Sequence, residues 1–245
     1  MSELKGRRAV VTGGGRGIGR AEALALAQGG ARVVVNYAHS ADAALGVVQE
    51  IEQIGGEAYA IAADVGDPSA IEGLVTSAAD ALGGIDILCS NAGIEHFGEL
   101  GTVTAEEFDR VFAVNTRGQF LAVQEATRVM GDGGRIVCTS SVSATTPFRQ
   151  HAVYSGSKAA VEGMVKCLAL DLAARGITIN AIAPGGTESD MSAEYTPFYE
   201  AGGGSLQFPF GRMGTPEDIS KVVRFLASPD SGWITGQTIR IAGGE

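Results

Sequence analysis

The sequence predicts a single-domain α/β fold, doubly wound around a mostly parallel sheet of seven strands. Three observations predict it. Short Val/Ile-rich runs alternate with helical stretches over the whole chain, as a sheet assembled from β-α-β units requires. These runs show no clear apolar/polar alternation, as expected of strands covered by helices on both faces. A glycine-rich turn stands directly after the first run and opens the first helix.

Taken in order, Ala9 to Val11 reads as the first strand, followed by the glycine turn and a helix through Ala27. Arg32 to Asn36 reads as the second strand, with a helix from about Ala41 to Ile54. Ala58 to Ala62 gives the third strand and Pro68 to Leu82 a helix. Ile85 to Ser90 gives the fourth, and one long helix is expected over about Ala105 to Met130. Arg135 to Thr139 is the fifth strand, Val153 to Arg175 a helix, Thr178 to Ile182 the sixth strand and Gln237 to Ile241 the seventh. Gly185 to Gly214 is irregular. It holds Thr187, Met191, Tyr195, Phe198, Tyr199, Phe208 and Phe210 among Gly and Pro, the composition of a lid over an apolar pocket.

The 245 residues suit one α/β domain spanning 1–245, and a hydrophobic content of 45% can fill its core. No stretch approaches the ~20 consecutive apolar residues of a membrane span. The first residues carry no apolar signal segment, so a cytoplasmic location is expected. Cys89, Cys138 and Cys167 are widely spaced in apolar surroundings and read as buried thiols of a reducing compartment. A net charge of −10 weighs against nucleic acid and anionic membrane as partners. No Cys, His or Asp clusters around His96 or His151, so no metal is expected.

The glycine turn reads Thr12-Gly13-Gly14-Gly15-Arg16-Gly17-Ile18-Gly19. Glycines at 13, 17 and 19 permit a tight turn and close backbone approach, so that the following helix N-terminus can hold a pyrophosphate. Gly13, Arg16, Gly17, Ile18 and Gly19 are therefore candidate nucleotide contacts. A carboxylate at the end of the second strand would bind a ribose 2′-hydroxyl and repel a 2′-phosphate. Here the stretch reads Asn36-Tyr37-Ala38-His39-Ser40, with no acid. Neutral donors at Asn36, Tyr37 and Ser40, with the Arg16 guanidinium, suit a phosphate, so NADP(H) is preferred and NAD(H) stays possible. Asp64-Val65 after the third strand can accept from an adenine amine, although Asp64 also reads as an ordinary turn or cap residue. Asn91-Ala92-Gly93 brings flexible backbone beside the cofactor after the fourth strand.

Tyr154 and Lys158 stand four residues apart on a helix and share one face. A phenol titrates near pH ~10, and a neighbouring ammonium favours its phenolate, so the pair can act as an acid/base device. The spacing is common, and by itself it also fits an exposed helix carrying one Tyr and one Lys. Together, Thr12 to Gly19, Asn91-Ala92-Gly93, Asn115, Ser141, Tyr154/Lys158 and Pro184-Gly185 resemble the short-chain dehydrogenase/reductase family over essentially the whole chain. Within that family the chain is similar to hydroxynaphthalene reductases and versicolorin-type polyketide ketoreductases. That similarity rests on Val34 to Ser40, Cys89-Ser90-Asn91, Glu107 to Phe112, Asn115 to Phe120, His151 to Lys158 and Ser231 to Gly236.

The resemblance implies a Rossmann fold and four catalytic residues. Ser141 would hydrogen-bond the substrate carbonyl and Tyr154 would exchange the proton. Lys158 would lower the tyrosine pKa and hold the nicotinamide ribose, and Asn115 would organise a water leading to solvent. Pro184, Gly185, Thr187 and Ser189 would line the nicotinamide. Ser143, Gly186, His96 and Tyr195 join Ser141 and Tyr154 as candidate substrate contacts, Ser140 should point away, and His151 should position the start of the catalytic helix. The family also implies a homo-oligomer, a tetramer or a dimer, formed through the two long helices.

The leading expectation is an NADPH-dependent reductase of an aromatic or polyketide-derived, hydroxynaphthalene- or quinone-like ketone. A 3-oxoacyl-carrier-protein reductase is the alternative; it would dock an acidic carrier through basic residues such as Arg175, against which the net charge and Asp132 count. A sugar or cyclic-alcohol dehydrogenase is a third reading. A non-catalytic NADP sensor would be free to lose the tyrosine or lysine, which this chain keeps.

Overall fold

In a computed structural model, described here for residues 3–193 and 208–244, seven parallel strands form one sheet. The chain runs β1 (Arg8–Val11), α1 (Gly17–Gln28), β2 (Arg32–Tyr37), α2 (Ala41–Gln53), β3 (Ala58–Ala62), α3 (Pro68–Leu82) and β4 (Ile85–Ser90). It continues through α4 (Ala105–Phe112), α5 (Gln119–Val129), β5 (Met130–Thr139), α6 (Ala152–Leu172), β6 (Thr178–Pro184), α7 (Pro216–Ala227) and β7 (Thr238–Ile241). The strand order is β3-β2-β1-β4-β5-β6-β7. The order reverses between β1 and β4, and the loops leaving their carboxyl ends diverge there into a crevice, where α/β sheets bind ligands.

The unbroken apolar strands are explained by two cores. Val33 and Val35 of β2, Ala9 and Val11 of β1 and Ile87 of β4 pack with α1, α2 and α7 on one face. Their alternates Val34, Val10 and Leu88 pack with α3, α5 and α6 on the other. Side chains alternate across a strand, so a sheet sandwiched between helices needs an apolar residue at every position. Among the described residues no helix is long and apolar enough to cross a membrane.

The elements match the expected order, with four departures. The long helix expected over 105–130 is interrupted: residues Ala113–Gly118 form a π-helical turn between α4 and α5. Such an insertion leaves no trace in apolar periodicity, and here it carries Asn115. Next, β5 begins at Met130, earlier than Arg135, because Met130 pairs with Ile85 across a register shift. The third departure is α7, a helix the sequence reading passed over. Its start is signalled by Thr215-Pro216-Glu217-Asp218, a capping box with Pro in the first turn. Finally, Cys89 and Cys138 are buried, but Cys167 lies exposed on α6 and is not the buried thiol expected. Of the expected lid, Tyr195, Phe198 and Tyr199 lie outside the described residues. Its two described ends meet through a bridge between Thr187 and Gly214.

Candidate active site

A cavity of about 1250 Å³ opens at the switch point, and the glycine turn forms one end of it. Gly13 adopts φ +63°, which a side chain would strain. At Gly19 the requirement is space: a Cβ would sit 2.4 Å from the Gly13 carbonyl oxygen and 2.5 Å from Asn91 Nδ2. The α1 N-terminus has no side-chain cap, as α2, α5 and α6 also have none, and no acid in its first turn; what sets it apart is that it opens directly from the glycine turn into the cavity. Its first N–H groups are thus left for an anion, and the turn fits a dinucleotide pyrophosphate. Gly19→Ala should weaken NADPH binding by about 10- to 100-fold, ~1.4–2.7 kcal/mol, because backbone rather than a side-chain tip must yield. A fluorescence titration with NADPH measures it, and unchanged affinity would show that the turn does not hold the cofactor.

Every candidate cofactor contact lines this cavity. Arg16, Gly17 and Ile18 stand at the turn; Tyr37 and Ser40 follow β2, and Asp64 and Val65 follow β3. Asn91, Ala92 and Gly93 follow β4, and Pro184, Gly185, Thr187 and Ser189 follow β6. Two of these contacts are more structural than expected. Asn36 is buried and its amide Nδ2 donates to Ala63 O at 3.0 Å and Ile61 O at 3.2 Å, while its Oδ1 accepts from Gly13 N–H at 3.3 Å. It braces the glycine turn, and Arg16, Tyr37 and Ser40 remain in the cavity lining at this end. Asp64 Oδ1 accepts from Gly66 N–H at 2.8 Å, the local turn that its alternative reading described. Thr12 joins β1 to β4 by accepting at Oγ1 from the N–H groups of Asn91 and Ala92.

The other end of the cavity gathers Ser141, Ser143, Tyr154, Lys158 and Gly186. Helix α6 buries the stripe Tyr154, Ser157, Lys158, Val161, Val165, Ala169 and Leu172, so the tyrosine and lysine share the face that packs on the sheet. The Lys158 ammonium donates to Thr139 O at 2.9 Å and lies 5.6 Å from the centre of the Tyr154 ring. Burial pulls the Lys158 pKa down to about 8, and the negative charge of Glu95 acts against that fall. Ser141 begins a short 3₁₀ turn; its Oγ accepts from the Ser143 N–H at 3.2 Å and the Ser143 hydroxyl at 3.0 Å. The Ser140 hydroxyl donates to Glu162 Oε1 and Lys158 O on α6.

Two expected residues, Asn115 and His96, are not in the described lining of the cavity. Asn115 lies behind the cavity, not in its lining. Its amide donates to Ile94 O and Ser157 Oγ, and its Oδ1 accepts from Ile94 N–H, so it fixes the loop after β4. His96 does not line the cavity; its neighbour Glu95 does. Tyr195 lies outside the described residues. His151 precedes α6 without capping it through its side chain; it pairs instead with Glu95. Sequence reasoning missed three contributors: Thr139, whose carbonyl anchors the lysine, Gln119, which donates to that same carbonyl and to Asn115 O, and Glu95. A backbone carbonyl carries no sequence signal. Glu95 could have been found as the acid beside His96.

A family model described as Enoyl-(Acyl carrier protein) reductase matches residues 13–245. The chain is 49% identical to a versicolorin reductase of Emericella nidulans, over 98% of this chain and 96% of the relative. It is 47% identical to a probable tetrahydroxynaphthalene reductase of Zymoseptoria tritici, over 99% and 95% respectively. A dehydrogenase/reductase of Sinorhizobium meliloti superposes with a TM-score of 0.95 at 45% identity, covering 99% of this chain and 96% of that one. An angucycline C-6 ketoreductase with bound NADP superposes with a TM-score of 0.91 at 40% identity, covering 98% and 96%.

Proposed function

The chain belongs to the short-chain dehydrogenase/reductase family and is an oxidoreductase, and from that premise we propose that it reduces aromatic, polyketide-derived ketones with NADPH, Tyr154 supplying the proton. One observation carries the reading. Ser141, Tyr154 and Lys158 converge on the catalytic end of a cavity whose other end is the uncapped, glycine-cradled helix terminus. Versicolorin and hydroxynaphthalene reductases among the relatives support the substrate class, and the NADP-bound ketoreductase neighbour supports the cofactor. The cavity lining also includes Phe148, Met191, Phe208 and Met213, an apolar surface that suits a flat ring system.

NADPH, when bound, supplies the hydride to the carbonyl carbon. The residues supply the rest. Ser141 offers its hydroxyl to the carbonyl oxygen, and Ser143, already donating to Ser141, orients it. Tyr154 gives its proton to the developing alkoxide and becomes a phenolate. Lys158, held on Thr139 O, places a positive charge beside that phenolate and offers its remaining protons to the nicotinamide ribose. Arg16, largely exposed and 3.9 Å from Asp190, would meet a 2′-phosphate.

Carrier-protein docking through Arg175 is disfavoured. That guanidinium is committed to Thr127 O, Met130 O and Asp132 within its own subunit. The reading is tested by following NADPH and NADH oxidation with purified protein and a panel of tetralones, quinones and acetoacetyl thioesters. Turnover of the aromatic ketones with NADPH preferred is expected. Inertness towards all of them, with activity on the thioester, would replace this reading by the carrier-protein one.

A further inference from the structure

Three carboxylates line the cavity among the described residues, and they differ in placement. Asp64 is turned into its own loop and Asp190 lies beside Arg16. Glu95 stands at the catalytic end, near enough to Lys158 to act on its charge. Its side chain is only 9% exposed. Its Oε1 meets His151 Nε2 at 2.5 Å and accepts from the His96 backbone N–H at 3.1 Å. A carboxylate oxygen that already accepts a backbone N–H pairs best with a protonated Nε2, so both groups are donors to Oε1.

His151 cannot turn away. Its ring lies parallel between Phe97, at 4.4 Å and 5°, and Tyr154, at 4.6 Å and 4°, with Phe148 edge-on at 5.9 Å. The carboxylate is therefore held in a fixed relation to the phenol through a single imidazole. Both donors fall on Oε1, and among the described residues none is directed to Oε2, although the side chain lies in the cavity wall. That oxygen is not one of the buried unpartnered atoms, so it is open to the cavity, where water or a ligand hydroxyl can donate to it.

We propose that Glu95, held by His151, is a specificity-determining residue that accepts a hydrogen bond from a hydroxyl group of the ketone substrate. It rests on the ketone-reductase reading above and adds to it a chemical requirement: a ring hydroxyl placed to reach Glu95 while the carbonyl meets Ser141 and Tyr154. A site built to bond a hydroxyl discriminates strongly against the analogue lacking it, since the protein group is then left unpaired. Here the acceptor is charged, which strengthens the bond.

Glu95→Gln preserves shape, but the two donors on Oε1 oblige the amide to give them its oxygen. Its NH₂ then faces the cavity, and an anionic acceptor is exchanged for a neutral donor. His151→Phe keeps the ring stacked on Tyr154 while releasing Glu95. The test is kcat/KM with NADPH for 2-tetralone and for 2-tetralones carrying one phenolic hydroxyl at each ring position. The wild-type protein should favour at least one hydroxylated isomer by about 10-fold or more, and both variants should bring that ratio within about 3-fold of unity. Thermal midpoints and NADPH titration establish that the variants fold and bind cofactor. A ratio unchanged in both variants, even if all rates fall together, would overturn the assignment, as would a wild-type protein indifferent to the hydroxyl. Failure of the wild type to reduce any tetralone would instead remove the ketone-reductase reading on which it stands.

Discussion

Tyr154→Phe should lower ketone reduction by about 10²–10⁴-fold, the usual contribution of a positioned general acid, while NADPH affinity stays within about 2-fold. The substitution removes one oxygen and little else. The phenyl ring can keep its parallel stack on His151 and fill the same volume. Lys158 keeps its anchor on Thr139 O, so its ammonium remains available to a ribose. The residual rate reflects hydride transfer to a carbonyl still bonded by Ser141, with solvent as the proton source. Stopped-flow measurement of NADPH oxidation, with a parallel fluorescence titration of the cofactor, separates the two quantities. Undiminished turnover would exclude the phenol as the acid. A parallel loss of NADPH affinity would instead mean that the ring organises the cofactor end of the cavity.

The fold was legible because each β-α unit is written locally. Val33, Val34 and Val35 must serve both faces of the sheet, so a parallel sheet appears as an unbroken apolar run. The glycine turn is also local: Gly19 admits no Cβ, and the surrounding residues announce a strand and a helix. Other parts depend on contacts distant in sequence. Asn115 is conspicuous as a residue type, but its bonds to Ile94 and Ser157 arise only when the π-helical turn faces the loop after β4. Asn36 reads as a ligand donor at the end of β2, yet the backbone of β3 and the glycine turn consume its amide. His151 looks like a helix-start residue, and its stack between Phe97 and Tyr154 requires a loop more than 50 residues earlier to fold over it. Chemistry that follows from spacing along one helix was readable; chemistry that follows from two loops meeting was not.

Glu22 gives the largest expected effect on stability. It lies on α1, one turn past the glycine cradle, fully buried, and among the described residues neither carboxyl oxygen has a hydrogen-bond partner. Burial raises its pKa from 4.5 to about 8, so at neutral pH the folded protein keeps this carboxyl protonated while the unfolded chain ionises it. Between those two values the folded state binds the extra proton. Stability therefore falls as pH rises from about 4.5 and levels off above about 8. At pH 7 the cost is ~3 kcal/mol, from about 1.36 kcal/mol for each unit between the unfolded pKa and the solution pH. Glu22→Gln has no proton to lose and matches the neutral carboxyl in size, though its amide N–H groups need partners in the same apolar site. The variant should match the wild type near pH 4.5, and its advantage should grow to ~3 kcal/mol at pH 7 and ~4 kcal/mol at pH 8, roughly 6–16 °C in thermal midpoint. The comparison is the difference between the two proteins across pH, in which contributions from Lys158 and the other titrating groups cancel. A difference that stays constant from pH 5 to 8 would show that Glu22 is ionised in the folded protein, with its charge satisfied by solvent reaching α1. A growing difference would identify an unpaired acid beside the nucleotide turn as a position where the fold gives up stability, one that substitution can restore without touching Tyr154 or Lys158.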